Sequence, residues 1–213
     1  MGGKEGLAAY RRKRRFDRTE EPRGEGAPTG AEPCFVVQIH DASTLHFDFR
    51  LEVDGVLKSW SVPKGPSADP HDKRLALPTE DHPLEYREFE GVIAAGEYGA
   101  GTVIVWDRGT YRPLPPKGKR RPATFGEALE RGHAAFWLDG GKLHGGYALT
   151  RFRTGEEPVR KRESWGVGPR RGNGRRSPSR TPRTSRTSRT EGHRPAVTRW
   201  DAGWWDVGRP TGR

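Results

Sequence analysis

From Leu45 to Val53 apolar and polar side chains alternate without a break, with Leu45, Phe47, Phe49, Leu51 and Val53 set against His46, Asp48, Arg50 and Glu52. Only an extended strand, whose successive side chains point to opposite faces, sorts such a run into two clean rows. Asp54-Gly55 follows at once and leads into a second β-branched and aromatic run, Val56 to Val62. An Asp-Gly pair accepts the positive φ angles of a two-residue hairpin turn. The chain is thus committed early to antiparallel sheet, with one face for the core and one polar.

Five more runs of the same texture, at 34–39, 74–77, 102–106, 134–138 and 147–152, are separated by Gly, Pro and Asp. Only 124–132 reads as a helix. Short strands at this spacing predict a mainly β fold, a small antiparallel β-barrel with one or two short helices. Trp60, Trp106 and Trp137 are expected in the core. Gly96, Gly99 and Gly101 lack the following helix that a phosphate loop needs, and read as a turn into the strand at 102–106.

The ends differ from the middle. Residues 156–213 hold 15 of the 39 Lys and Arg but only 6 of the 28 acidic residues, and are rich in Arg, Ser, Thr and Pro. Such a tail cannot bury enough apolar surface to offset its ordering entropy, so it is expected to be disordered and to meet a polyanion such as nucleic acid. Trp200, Trp204 and Trp205 lie among its arginines, where they could stack on bases or form a docking peptide. Residues 1–30 read as a basic arm and a Gly/Pro-rich linker, leaving 31–155 as the barrel domain. A lone cysteine, Cys34, allows no disulfide within the chain, and no run approaches the ~18–20 apolar residues of a membrane span. A cytoplasmic protein without membrane attachment is the expectation.

The run at 34–39 leads directly into His40, and the connection at 41–44 folds it back so that His40 meets His46 on the polar face. A strand facing only water would carry Lys, Glu, Thr and Ser; this one gathers two imidazoles and Asp48, nitrogen and oxygen donors suited to a divalent metal. Arg50 adds a planar donor fork suited to phosphate. A further histidine, His82, is kept out of helix by Pro83, with Tyr86 four residues on.

Residues 35–67 and 80–109, with the motif HDAS-x-LH-x-DFRLE followed by EDHPLEY, resemble the 3'-phosphoesterase domain of bacterial DNA ligase D, which also occurs as a stand-alone protein; the likeness covers 10 to about 153. The resemblance implies a barrel whose groove holds one Mn2+, healing DNA 3' ends by removing a terminal ribonucleoside and then the exposed 3'-phosphate. It makes His40, His46 and Asp48 metal ligands, gives Arg50 and His82 the phosphate, and completes the essential set with Tyr86. His82 could instead protonate the leaving oxygen, since a free imidazole titrates near neutral pH. Arg14, Glu21, Gln38, Lys64, Arg74 and Glu80 fall where the family contacts substrate. The implied partners are primer-template DNA or DNA/RNA 3' ends, a separate ATP-dependent DNA ligase, a repair polymerase and the Ku end-binding protein, with the chain a monomer near the nucleoid.

Two departures carry expectations of their own. The arm has Arg15 where the family pattern has an aspartate, which predicts weak ribonucleoside removal with phosphate removal intact. Beyond Ser164-Trp165 the sequence turns to Gly, Pro and Arg, so the family's closing strand is expected to be lost and a sheet edge left open, as a reading-frame shift would produce. Two rival functions share the residues: a non-haem iron oxygenase using His46, Asp48 and His82, and a basic nucleic-acid-binding module without catalysis.

Overall fold

The computed structural model describes residues 6–24, 32–115, 124–152 and 164–170. The tail from 171 on, with Trp200, Trp204 and Trp205, lies outside them, as does most of the Gly/Pro linker. Among the described residues no helix is long and apolar enough to cross a membrane.

Among the described residues nine strands form one antiparallel sheet: β1 (Cys34–Asp41), β2 (Leu45–Val53), β3 (Val56–Val62), β4 (Arg74–Pro78), β5 (Gly91–Ile93), β6 (Gly101–Pro113), β7 (His133–Gly140), β8 (His144–Phe152) and β9 (Ser164–Pro169). They run in the order β1-β2-β3-β4-β9-β8-β7-β6, and pairing of β1 with β6 closes this ring into an eight-stranded barrel; β5 is added on β6. The expected barrel is what forms. Asp54 and Gly55 turn β2 into β3 at φ 51° and 83°, the left-handed pair that such a hairpin requires. Inside, Phe49, Phe136 and Tyr147 stack in series, with ring centroids 6.0 and 6.5 Å apart. Helix α2 (Phe125–Glu130) adds Ala128 and Leu129 to the core and is capped by Thr124 Oγ1, which accepts from the Glu127 amide at 3.1 Å. Trp60 is buried, while Trp106 is partly buried against the core.

The closing strand is not lost. β9 pairs with β4 on one side and β8 on the other, burying Trp165 and Val167 in the core. Its glycines fit rather than break it: a Cβ on Gly168 would stand 2.5 Å from the Asp72 carbonyl oxygen, so this close approach of two chains needs glycine. β9 begins beyond residue 155, where the sequence placed the end of the barrel.

The arm is also structured. Helix α1 (Ala8–Arg12) is preceded by Leu7, and Leu7 and Tyr10 join Val56, Leu57, Leu84 and Tyr86 in a second apolar cluster outside the barrel. Tyr10 is fully buried and donates its hydroxyl to the Pro22 carbonyl at 2.8 Å. Burying side chains of this size contributes about 1.5–3 kcal/mol each, which is what holds a short basic segment against the sheet.

Candidate metal centre and its charged surround

The polar row of β2 is not a solvent face. Asp48 is 6% exposed and Arg50 2%: Asp48 sits among His40, His46 and Arg50, and the Arg50 guanidinium lies 4.8 Å from the Tyr86 ring centroid. The register sets His40 of β1 directly opposite His46 of β2, and their ring centroids are 4.8 Å apart. One ligand atom from each of His40, His46 and Asp48 lies within 4.8 Å of the others.

The outer nitrogen of each imidazole is fixed. His40 Nε2 donates to the Gly99 carbonyl at 2.9 Å, and His46 Nδ1 donates to the Thr44 carbonyl at 2.8 Å. That leaves His40 Nδ1 and His46 Nε2 as lone pairs, 3.5 and 3.7 Å from the two Asp48 oxygens. Imidazoles that ligate metals are oriented in this way, by a hydrogen bond from the other ring nitrogen, so the donor set fits a divalent cation. Burial works against charge at both His40 and Asp48. At His40 the Asp48 carboxylate, which favours a protonated imidazole, and the Gly99 carbonyl together outweigh it and raise the pKa; at Asp48 the Arg50 charge, aided by both imidazoles, outweighs it and lowers the pKa.

Arg50 joins three strands. Its Nη2 donates to Asp48 Oδ2 at 2.9 Å, its Nε to Gln38 Oε1 at 2.8 Å and its Nη1 to Ser59 Oγ at 2.8 Å. Gln38, itself fully buried, spends its amide protons on the carbonyls of Tyr86 (3.0 Å) and Phe89 (2.9 Å). The fork expected to meet phosphate is thus engaged inside the protein, and Gln38 ties the short 3-10 helix Leu84–Glu88 to β1.

Beyond Arg50 the arm supplies a second group of charges. Arg14 lies 3.7 Å over the Tyr10 ring, donates from Nε to Glu21 Oε1 (2.7 Å) and from Nη1 to Glu80 Oε1 (3.0 Å), and sets Nη2 3.2 Å from His82 Nε2. Tyr86 donates its hydroxyl to Glu21 Oε1 at 3.0 Å, and burial raises its pKa far above the phenol range. His82 faces Arg14 with Nε2 as acceptor while Nδ1 donates to the Glu80 carbonyl at 2.8 Å. Burial, then the charges of Arg50 and Arg14, hold its pKa well below 6.5, so His82 is neutral here. Gripping phosphate through Nε2–H or protonating a leaving oxygen would first require a proton that its surroundings oppose. Nor does His82 join His46 and Asp48 as an iron-binding triad would require, since both its ring nitrogens are engaged elsewhere.

A depressed histidine pKa has a definite sign in stability. Below about 6.5 the unfolded chain takes up a proton at His82 that the folded chain refuses, so stability present above that pH is lost as pH falls. Urea unfolding at pH 7.5, 6.5 and 5.5 should show a His82 contribution approaching about 1.4 kcal/mol per pH unit, absent in His82→Gln. Parallel pH profiles for the two proteins would contradict it.

Of the residues singled out in the sequence, His40, His46, Asp48, Arg50, Gln38, Tyr86, His82, Arg14, Glu21 and Glu80 form one connected group. Lys64 and Arg74 do not join it: Lys64 is exposed on the loop after β3, and Arg74 donates to Asp72 Oδ2 at 2.6 Å. Sequence reasoning missed Ser59, Tyr98 and Lys13. Lys13 Nζ donates to Glu80 Oε2 and reaches the Tyr98 hydroxyl, both at 2.9 Å. Nothing local in the sequence marks these three, whose partners are distant in the chain. Arg15, the departure in the arm, pairs with Glu97.

Comparison with known proteins identifies the family. The chain is 54% identical over 147 residues to the multifunctional non-homologous end joining protein LigD of Pseudomonas aeruginosa, covering 68% of this chain and 16% of the relative. It is 47% identical over 146 residues to the multifunctional non-homologous end joining DNA repair protein LigD of Mycobacterium tuberculosis, covering 68% and 18%. The Mycolicibacterium smegmatis protein of the same kind is 42% identical over 148 residues, covering 67% and 19%. The chain therefore spans less than a fifth of the length of the curated relatives it matches. The profile of the DNA Ligase D 3'-phosphoesterase domain matches residues 38–151, more than half of the chain and including His40, His46 and Asp48, and the chain belongs to that family.

Proposed function

We propose that this protein removes 3'-phosphate groups from DNA ends in a reaction that requires a divalent metal, Mn2+ being the ion its family resemblance implies, and that it serves repair by non-homologous end joining. The observation that carries the reading is the clustering of one ligand atom from each of His40, His46 and Asp48 within 4.8 Å, with both outer imidazole nitrogens already committed to carbonyls. An ion held there would draw negative charge from the phosphate oxygens and favour attack of water at phosphorus, the bond to the DNA 3'-oxygen breaking and that oxygen leaving as a hydroxyl with a proton from the attacking water.

The chain's own groups have separate tasks. Arg50 keeps Asp48 ionised and aimed, and its buried charge favours an anion nearby. His46, the most open of the three ligands, marks the side from which a phosphate approaches. Lys13, whose side chain is 37% exposed, stands at the outer edge as a cation for the nucleic-acid backbone. Arg14, Glu21 and Tyr86 hold the arm against this surface. Ribonucleoside removal is expected to be the weaker step, because Arg15 is directed to Glu97. A ligase, a polymerase and Ku are the partners that an end-joining role requires.

Incubating the protein with a labelled primer-template that ends in 3'-phosphate tests this directly. Phosphate should be released with Mn2+ and not in excess chelator. DNA binding that falls steeply with salt, without release in any divalent metal, would make the protein a nucleic-acid-binding module instead.

A further inference from the structure

We propose that Arg15 and Lys13 of the arm are positioning residues for His40, acting through the loop 94–100 whose Gly99 carbonyl orients that imidazole. The inference rests on the proposed metal-binding role of His40. The loop joins β5, only three residues long, to β6, and has two turn hydrogen bonds of its own, from the Glu97 amide to the Ala94 carbonyl and from the Ala100 amide to the Glu97 carbonyl, both 3.1 Å. Gly96 and Gly99 hold φ of 85° and 77°, a region glycine enters and leaves freely, so within the loop the peptide that carries the Gly99 oxygen is held by the Ala100 amide bond to the carbonyl of Glu97, the residue whose side chain the arm grips. Tyr98, at the loop's tip, is 48% exposed, so packing does not fix it.

The loop's side chains are instead gripped by the arm. The Arg15 guanidinium spans the Glu97 carboxylate, with Nε 3.2 Å from Oε2 and Nη2 on Oε1. Lys13 Nζ lies 4.3 Å from the Tyr98 ring centroid and 2.9 Å from its hydroxyl, while also bonding Glu80. The arm can act as the fixed side because Tyr10 is fully buried and Arg14 is held between Glu21 and Glu80. A continuous path results: arm cation, loop side chain, Gly99 carbonyl, His40 Nε2, metal-facing Nδ1. The arginine that departs from the family pattern thus gains a partner that an aspartate would repel.

Charge alone makes the opposite prediction, which allows a decisive test. Arg15→Glu brings two units of negative charge toward a cation site, so long-range electrostatics would tighten Mn2+ binding. Loosening the loop would weaken it. Mn2+ binding to the full chain is followed by the paramagnetic resonance signal of the free ion, at fixed ionic strength, for wild type, Arg15→Glu, and the swap Arg15→Glu with Glu97→Arg. Losing an outer partner of a ligating histidine weakens metal binding by about 10–100-fold, and the latch acts one contact further out, so about tenfold weaker binding is expected in Arg15→Glu. The swap should return to within about twofold of wild type. Hydrogen exchange of the Ala100 amide in metal-free protein should speed up in the single variant and recover in the swap. Equal or tighter binding in Arg15→Glu, or no recovery in the swap, overturns the latch. Wild type that binds no Mn2+ overturns the metal reading, and the exchange measurement then still decides whether the arm holds the loop.

Discussion

Asp48→Ala is expected to abolish Mn2+-dependent phosphate release and also to destabilise the fold, by about 3–5 kcal/mol, whereas His46→Ala should lose the activity with little loss of stability. The difference follows from what each side chain touches. Asp48 is buried and accepts a hydrogen bond from Arg50, so its removal leaves a guanidinium short of its anion inside the protein. His46 is half-buried, and its hydrogen bond is to the nearby Thr44 carbonyl. Phosphate release from a 3'-phosphate primer, together with urea unfolding of each variant, separates the two effects. A folded Asp48→Ala protein with wild-type stability would show that Arg50 is held by Gln38 and Ser59 alone.

Ending the chain after Arg162 is expected to unfold it, while ending it after Arg170 leaves the barrel closed. The first cut removes β9, exposing the edges of both β4 and β8 and taking Trp165 and Val167 from the core. Removing two large apolar side chains alone costs about 4–8 kcal/mol, comparable to the whole stability of a domain this size. Near-ultraviolet circular dichroism and thermal melting of the two truncations provide the check. Cooperative melting of the shorter chain would mean that β9 is dispensable.

The parts of the fold legible in the sequence are those set by neighbours along the chain. The alternation in β2 and the short connection at 41–44 suffice to bring His40 opposite His46, and Asp54-Gly55 fixes the next hairpin. Two strands were obscured by glycine. In β9 the inward residues Trp165 and Val167 alternate with Gly166 and Gly168, which lowers the local strand signal, although the close approach of the Asp72 carbonyl just before β4 requires glycine at 168. In β6 the run Asp107-Arg108-Gly109 resembles a turn but continues the strand past a bulge: Asp107 accepts from the amides of Gly141, Lys142 and Leu143, and a Cβ on Gly109 would stand 2.1 Å from the Asp139 carbonyl oxygen. Burial of the site's polar face was not legible either. It depends on Leu7 and Tyr10 packing against Leu57 and Leu84, a contact between segments that carry no mutual signal in the sequence.

The seam between β4 and β9 also imposes an order on folding. Ala76 finds its strand partner, Trp165, only near the end of the described chain, after every other strand has been made. Until then the growing protein is an open sheet that displays the edge of β4 to whatever else can pair with it. Joining segments so distant requires a large loop to close before any contact rewards it, which makes ring closure a slow step. During synthesis the hairpin of β1 and β2, with His40, His46 and Asp48, is therefore available long before the barrel that shields it is complete.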